Sequence, residues 1–385
     1  MAFAFPARLG ILGGGQLARM LAEAASTLGV EVVVMEREPD SPAGRIAARE
    51  ITGPWDDTDG LRALADESLA ITLENEFVDV ASLRWLEAHG ARVFPTAATL
   101  ARCQDKHDQK VAAASAGIAV THFRAVAGAD DIIEAAREWG WPLVLKARHN
   151  SYDGYGNVTV RGSDAIAPAF EALGFPARGL YVEAWVPFVR ELAVIVARGH
   201  DGAAVTYPVA ETVQEGHICR IVRAPAEVAP AVARLATQTA SQVVEAFDGV
   251  GVFGVELFQT EGGGILFNEI APRPHNSGHY TIEACVTSQF EQAIRITLGL
   301  PLGSAAMVTP VAVMVNVLGR ADGSATSEGL DAALAIPGAH VHLYGKLASR
   351  TGRKMGHVTA LGQTLAEAEA RALAAADALR LVALE

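Results

Sequence analysis

The sequence predicts a mixed α/β chain in three parts: a doubly wound parallel-sheet layer over residues 1–100, an α+β body over residues 101–300, and a small β-rich part over residues 301–385. Three observations predict it. In the first part, short apolar runs alternate with stretches of helical periodicity, as in parallel strands joined by crossover helices. In the second, strand-like runs come in pairs with glycine-rich connections, as in antiparallel hairpins. In the third, two β-rich runs precede an alanine-rich terminal helix. At roughly 150 residues per domain, the 385 residues suit two to three domains.

The elements follow in order. Residues 8–12 form a strand, Gly13-Gly14-Gly15 a sharp turn, and residues 16–28 a helix that Gly29 can end. Residues 31–35 are a second strand that closes on Glu36, and residues 69–73 and 92–94 continue the sheet. A helix carrying Lys106 and Lys110 opens the second part. Strands are predicted at 143–147, 158–161, 180–186, 192–198, 252–258 and 265–270, and helices at 130–139, with Asp130 as N-cap, and 230–247. Strands at 311–318 and 340–344 and a helix at 365–379 end the chain.

Half of the residues are hydrophobic, which excludes a disordered chain. Lys and Arg number 31 against 44 Asp and Glu, a net charge of −13, which excludes a sequence-independent nucleic-acid binder. Only five of the cations are lysines, at 106, 110, 146, 346 and 354, so lysine is not used as general surface charge. Cys103, Cys219 and Cys285 are far apart and lack metal-ligand spacing, so each is expected as a small buried hydrophobe in a reduced, cytoplasmic chain. No run of 18 apolar residues and no signal-like start occurs, so neither a membrane span nor a signal peptide is expected.

Five constellations carry chemistry. Gly13-Gly14-Gly15-Gln16-Leu17-Ala18 fits GxGxxA between a strand and a helix, with Glu36 closing the next strand. By itself it suits a dinucleotide, another phosphate ligand or a tight structural turn. Lys146 ends an apolar strand and precedes Ser151-Tyr152-Asp153-Gly154-Tyr155-Gly156-Asn157, a flexible loop that can cover nucleotide phosphates. Glu256 and Glu269 lie on a predicted hairpin. With Gly262-Gly263 as its loop they become direct cross-strand neighbours, an arrangement that suits Mg²⁺ between hard oxygens. In the run from Asn268 to His279, Arg273 can hold an oxyanion, and His275 or His279 can move protons. Finally, Lys346, Arg350, Arg353 and Lys354 concentrate four cations within nine residues, an anion pocket for a substrate phosphate.

This ordered set resembles the N5-carboxyaminoimidazole ribonucleotide synthetases, an ATP-grasp family of purine biosynthesis, and the resemblance runs along nearly the whole chain. It implies an ATP-grasp fold and a reaction in which ATP activates bicarbonate as carboxyphosphate and the amine of 5-aminoimidazole ribonucleotide takes the carboxyl group, directly or through released CO₂. By the same resemblance, Lys106 and Lys146 contact ATP phosphates under the loop Ser151, Tyr152, Asp153, Gly154, Tyr155, Gly156 and Asn157. Glu183, Ala184, Trp185 and Val186 meet adenine, Glu191 holds the ribose, and Gln214 lies near the nucleotide. Glu256 and Glu269 bind Mg²⁺, with Asn268 lining the same site. Arg273 and His275 face bicarbonate or carboxyphosphate, and Asp153 orients the amine. Gly15, Gln16, Glu74, Lys346, Arg353 and Lys354 hold the ribonucleotide, so the glycine turn meets a substrate phosphate. A homodimer is implied, with no nucleic-acid or membrane partner.

Two positions depart from the family pattern. Tyr155 stands where a basic residue is usual, with Arg148 or His149 as compensating cations. Gln214 stands where His is frequent. The competing readings are an NAD-dependent oxidoreductase, which accounts only for residues 1–36, and another ATP-grasp ligase such as the formate-dependent glycinamide ribonucleotide transformylase.

Overall fold

The computed structural model of the chain describes residues 6–150 and 156–383. Its first layer comprises β1 (Ala7–Leu12), α1 (Gln16–Thr27), β2 (Val30–Glu36), β3 (Arg49–Thr52), α2 (Thr58–Asp66), β4 (Ile71–Leu73), α3 (Val80–Ala88) and β5 (Val93–Phe94). The five strands are parallel, in the order β3-β2-β1-β4-β5. Their apolar runs are continuous because both faces are covered: Val32 and Val34 join one core cluster, Val33 and Met35 another. The sequence pattern misses β3, an edge strand in which only Ile51 is buried. The strand order reverses between β1 and β4, so a crevice opens at their carboxyl ends, where such sheets place ligands.

The body continues with α4 (Ala97–Gln104), α5 (Lys106–Ser115), β6 (Phe123–Val126), α6 (Ala129–Trp139), β7 (Leu143–Ala147), β8 (Asn157–Val160), α7 (Ile166–Leu173) and β9 (Leu180–Ala184). The strands form an antiparallel sheet ordered β6-β9-β7-β8. Helix α6 is capped by Gly128 rather than Asp130. The carboxylate of Asp131 accepts from the Ala127 and Gly128 amides (2.7 and 3.0 Å), because Asp131 is the third residue of the helix, from which a side chain can reach back.

There follow β10 (Phe188–Arg198), β11 (Ala204–Thr206), β12 (Ala210–Glu215), β13 (Ile218–Ala224), α8 (Pro230–Ala246), β14 (Gly251–Thr260), β15 (Ile265–Ala271), α9 (Thr281–Ala284), α10 (Gln289–Leu298), β16 (Val311–Leu318), β17 (Gly323–Glu328), α11 (Leu330–Leu334), β18 (Ala339–Leu343), β19 (Ala348–Ser349), β20 (Lys354–Gly362), α12 (Leu365–Ala378) and β21 (Arg380–Ala383). Among the described residues nine of these strands make one antiparallel sheet, ordered β15-β14-β10-β12-β13-β16-β20-β18 with β11 beside β10. The sheet runs unbroken across residue 300, because β13 pairs directly with β16.

Strand β10 shows why this sheet is rigid. Leu192, Val194 and Val196 pack on one side with α8, and Ile195 and Ala197 pack on the other with α10, following the two-residue alternation of a strand. That second cluster also holds Leu9 and Leu21 of the first layer, Ile294 of α10 and Met314 of β16. One apolar core therefore fixes the parallel layer against the large sheet. Ile294→Ala, at a fully buried position, is expected to destabilise the protein by about 2–5 kcal/mol. Urea unfolding checks this.

Candidate active site

A cavity of about 1120 Å³ lies where three parts of the fold meet. Strands β7, β8 and β9 line one wall, β14 and β15 another. The carboxyl ends of β1 and β4 and the hairpin between β18 and β20 close the far end. Pockets for one small ligand run roughly 300–1,000 Å³, so this cavity has room for two. Its lining includes Gly15, Gln16, Glu74, Lys106, Lys146, Asn157, Glu183, Ala184, Trp185, Val186, Glu191, Gln214, Glu256, Asn268, Glu269, Arg273, His275, Lys346, Arg353 and Lys354, and also Arg350. Gly156 is not in the lining. It closes the β7–β8 hairpin with φ +94°, its carbonyl accepting from the Ala147 amide at 2.8 Å. Ser151, Tyr152, Asp153, Gly154 and Tyr155 lie outside the described residues.

The hairpin of β14 and β15 pairs Glu256 with Glu269, as the sequence predicts, but not by the predicted register. Nearer the turn the pairs are Gln259–Ile265 and Leu257–Phe267, one residue off from a two-residue Gly262-Gly263 loop. A bulge at Asn268 shifts the register back before Glu256. Such a bulge sets two residues against one. Asn268 and Glu269 accordingly both meet Glu256's side of the hairpin, and the Asn268 Nδ2 donates to Glu256 Oε2 at 3.4 Å.

Burial, with Glu269 and Glu191 nearby, pushes the Glu256 carboxyl up to about 8. Lys106 and Lys354 offset this only in part. Two carboxylates and an amide oxygen are the hard donors that Mg²⁺ takes. The proton that Glu256 keeps without a cation marks the charge such an ion would supply.

The lysines are fixed by carboxylates. Lys106 Nζ lies 2.9 Å from Glu269 Oε2. Burial pulls the Lys106 pKa down, but Glu269, Glu76 and Glu256 outweigh it and raise it above the ordinary value. Asp105, which caps α5 through the His107 and Asp108 amides, sets Lys106 at the first helical position. Lys146 Nζ lies 2.7 Å from Glu183 Oε2 and 3.5 Å from Asn268 Oδ1. Lys110, fully buried, sits 3.0 Å from Glu183 Oε1 and donates to the Phe267 carbonyl at 2.9 Å. Despite burial, these two ammonium groups hold the Glu183 carboxyl well below its usual range. Both oxygens of Glu183 thus face lysines. At the cavity wall, Gln214 Nε2 donates to Glu191 Oε2 at 3.0 Å.

Arg273 grips Glu76 with two guanidinium nitrogens and holds its carboxyl down at about 2, against the effect of burial. Sequence reasoning misses Glu76. Its signal is its place just after β4, at the strand-order reversal. His275 Nε2 lies 3.6 Å from Glu256 Oε1, and its Nδ1 lies 2.8 Å from Ser277 Oγ. Gln289 clamps the His275 backbone, accepting from its amide and donating to its carbonyl (2.9 and 2.8 Å). His279 is buried and held well below its ordinary value, chiefly by desolvation, so it stays neutral.

At the glycine turn the Gly14 amide donates to Glu36 Oε2 at 2.7 Å, and the Leu17 amide at the start of α1 donates to Glu74 Oε1 at 3.4 Å. A Cβ on Gly15 would meet Glu74 Oε1 at 2.3 Å. Cations collect opposite, where Lys346 Nζ donates to the Lys354 carbonyl at 2.7 Å and Arg353 to the Ala348 carbonyl at 2.8 Å. Cys103 and Cys285 are buried as expected, whereas Cys219 is half-buried in the cavity wall because β13 runs along it.

Three family models match the chain: a ribonucleotide synthetase preATP-grasp domain over residues 7–104, an ATP-grasp domain over 111–290, and a phosphoribosylaminoimidazole carboxylase C-terminal domain over 312–371. The N5-carboxyaminoimidazole ribonucleotide synthase of Synechococcus elongatus is 42% identical over 91% of this chain and 88% of its own length. The chain belongs to the N5-carboxyaminoimidazole ribonucleotide synthetase family. The synthetase of Thermotoga maritima superposes with a TM-score of 0.87 at 39% identity, over 98% of this chain and 100% of that one. The synthase of Aspergillus clavatus, solved with ADP and 5-aminoimidazole ribonucleotide, gives 0.89 at 38% identity, over 97% and 99% of the two chains. The phosphoribosylaminoimidazole carboxylases of Vigna aconitifolia and Saccharomyces cerevisiae are longer: the chain spans 65% of each, at 43% and 41% identity.

Membership in the synthetase family removes the oxidoreductase and formate-dependent transformylase readings. Of the two cations expected to compensate for Tyr155, Arg148 lies 2.6 and 3.0 Å from Asp105 and Asp108, and His149 lies 3.2 Å from Asp105. No helix among the described residues is long and apolar enough to cross a membrane.

The raised Glu256 pKa has a signed consequence. The stability this carboxyl contributes is complete below its unfolded value near 4.5 and is lost as pH rises through about 8. Glu256→Gln is therefore expected to be more stable than wild type at pH 8.5 without divalent cations, with the gap narrowing toward pH 5. Mg²⁺ is expected to stabilise wild type and leave the variant unchanged. Thermal unfolding across pH, with and without MgCl₂, checks both.

Proposed function

We propose that this chain is an ATP- and bicarbonate-dependent ligase that carboxylates 5-aminoimidazole ribonucleotide to N5-carboxyaminoimidazole ribonucleotide, releasing ADP and phosphate. The observation that carries the reading is the single cavity. It joins the Lys106, Lys146, Glu256 and Glu269 end to the Lys346, Arg350, Arg353 and Lys354 end, with Arg273 and His275 between. The co-complex of the Aspergillus clavatus relative with ADP and 5-aminoimidazole ribonucleotide supports the same pair of ligands. In this reading residues 101–300 hold the nucleotide, and residues 1–100 and 301–385 hold the ribonucleotide from either side.

Lys106 and Lys146 neutralise the ATP phosphates, and the backbone of residues 183–186 and Glu191 hold adenine and ribose. Glu256 and Glu269, with Asn268, would hold Mg²⁺, which supplies charge neutralisation on the β- and γ-phosphates. A bicarbonate oxygen attacks the γ-phosphorus in line and the bond to ADP breaks, giving carboxyphosphate. Positioning and electrostatics carry that step. Arg273, preset by Glu76, offers its guanidinium edge to the carboxyphosphate. The acceptor amine then bonds to the carboxyl carbon, the C–O bond to phosphate breaks, and the amine proton leaves to His275 or to the departing phosphate. In this reading Asp153 orients the amine. The acceptor phosphate seats on Lys346, Arg353 and Lys354, while Gly15, Gln16 and Glu74 meet its neutral face, because the carboxylates at the turn disfavour a phosphate there. A cytoplasmic homodimer is the setting that accompanies this assignment.

ADP release from Mg-ATP and bicarbonate is expected to rise strongly on adding 5-aminoimidazole ribonucleotide. No stimulation, in folded protein that binds ATP, would refute the acceptor. Glu269→Gln is expected to lower turnover by about 10²-fold or more, with the fold retained. Near-normal turnover would remove the metal assignment.

A further inference from the structure

The segment carrying Arg273 and His275 and the cationic hairpin at 344–354 face each other across the cavity. Beneath both runs a row of polar side chains. Asn316 of β16, His357 of β20 and His342 of β18 are direct cross-strand neighbours, so they project from one face of the large sheet. Asn316 and His357 are both 0% exposed, and Asn316 is the one polar residue of β16. A buried polar group needs partners to offset its desolvation, so the partners of this row show what it holds.

What it holds is specific. Asn316 and Asn276 exchange two hydrogen bonds, at 2.9 and 2.7 Å, one residue from His275, and Asn316 Nδ2 also donates to the Cys219 carbonyl at 2.9 Å. His357 Nδ1 lies 3.1 Å from the hydroxyl of Tyr344, two residues before Lys346. The His357 ring stacks on His342 at 4.4 Å and lies 4.9 Å from His279. Lys346 in turn sits 5.6 Å from the Tyr344 ring. The two ends of the row therefore touch the two sides of the cavity, and His357 joins them. Burial keeps His357 and His279 neutral, so the link is one of cross-strand packing from Asn316 to His357 and of a hydrogen bond from His357 to Tyr344.

We propose that Asn316, His357 and Tyr344 are positioning residues that register the phosphate-binding hairpin against the segment carrying Arg273 and His275, so that acceptor binding raises ATP turnover through them. The inference rests on the functional reading above. Asn316 acts on the catalytic segment and Tyr344 on the hairpin, so their loss has different kinetic signatures.

The test uses the full chain, with ADP release measured with and without 5-aminoimidazole ribonucleotide in wild type, Asn316→Ala and Tyr344→Phe. Acceptor-free ATP hydrolysis is expected to stay within about twofold of wild type in both variants. Since misplacing reacting groups by an ångström lowers rates by up to about 10²-fold, Asn316→Ala should lower acceptor-stimulated kcat about tenfold or more at unchanged acceptor KM. Tyr344→Phe, which removes one hydroxyl and keeps the packing, should raise acceptor KM several-fold with kcat largely held. Wild-type stimulation in both variants overturns the inference, as does an equal loss of basal and stimulated rates, which marks a general structural role. If wild type itself is not stimulated, the functional reading fails and this inference with it.

Discussion

The site depends on a buried charge balance. Glu256 and Glu269 are set opposite each other by the Asn268 bulge, both half-buried, and their like charges repel. Lys106 answers Glu269 at 2.9 Å, and the proton on Glu256 stands in for the remaining positive charge. A Mg-nucleotide would bring that charge with it, so the same repulsion would favour its binding. The low local dielectric makes each of these terms larger than at a surface.

The same logic repeats one layer away. Glu183 lies between Lys110 and Lys146, at 3.0 and 2.7 Å, so one buried carboxylate fixes two of the five lysines in the chain. Removing one partner of a buried ion pair costs far more than the pair contributes, and for that reason the arrangement is stiff. Arg273 on Glu76 is a third instance. Lys106, Lys146 and Arg273 are thus each aimed by an anion behind them, and those anions come from three different parts of the fold: β15, β9 and the end of β4.

The apolar core makes this geometry reproducible. Cluster packing of Leu9 and Leu21 with Ile195, Ile294 and Met314 locks the parallel layer to the large sheet. The crevice at the β1/β4 reversal therefore opens toward the carboxylate hairpin instead of toward solvent. A sheet that runs through residue 300 carries the cationic hairpin to the same place.

Much of this was legible in the sequence because it is local. Strand 143–147, the helix opening at Lys106 and the hairpin around Gly262-Gly263 follow from periodicity, capping and turn chemistry, and the rarity of lysine pointed to Lys106, Lys146, Lys346 and Lys354. Edge strand β3 was not legible, since with one buried residue it has no pattern to read. Glu76 was not legible either, since nothing local distinguishes it until β4 is placed beside β1. The register of the carboxylate pair came out right from a wrong loop, because a bulge is invisible to spacing. The amides of the glycine turn look the same in the sequence whether they serve a phosphate or carboxylates, and only the fold brings Glu36 and Glu74 onto them. The sequence alone thus determined the element types and the chemical groups available, which are properties of neighbouring residues. Which anion aims which cation, and where a phosphate can sit, was decided by tertiary structure, because those interactions join residues 20 to 200 positions apart.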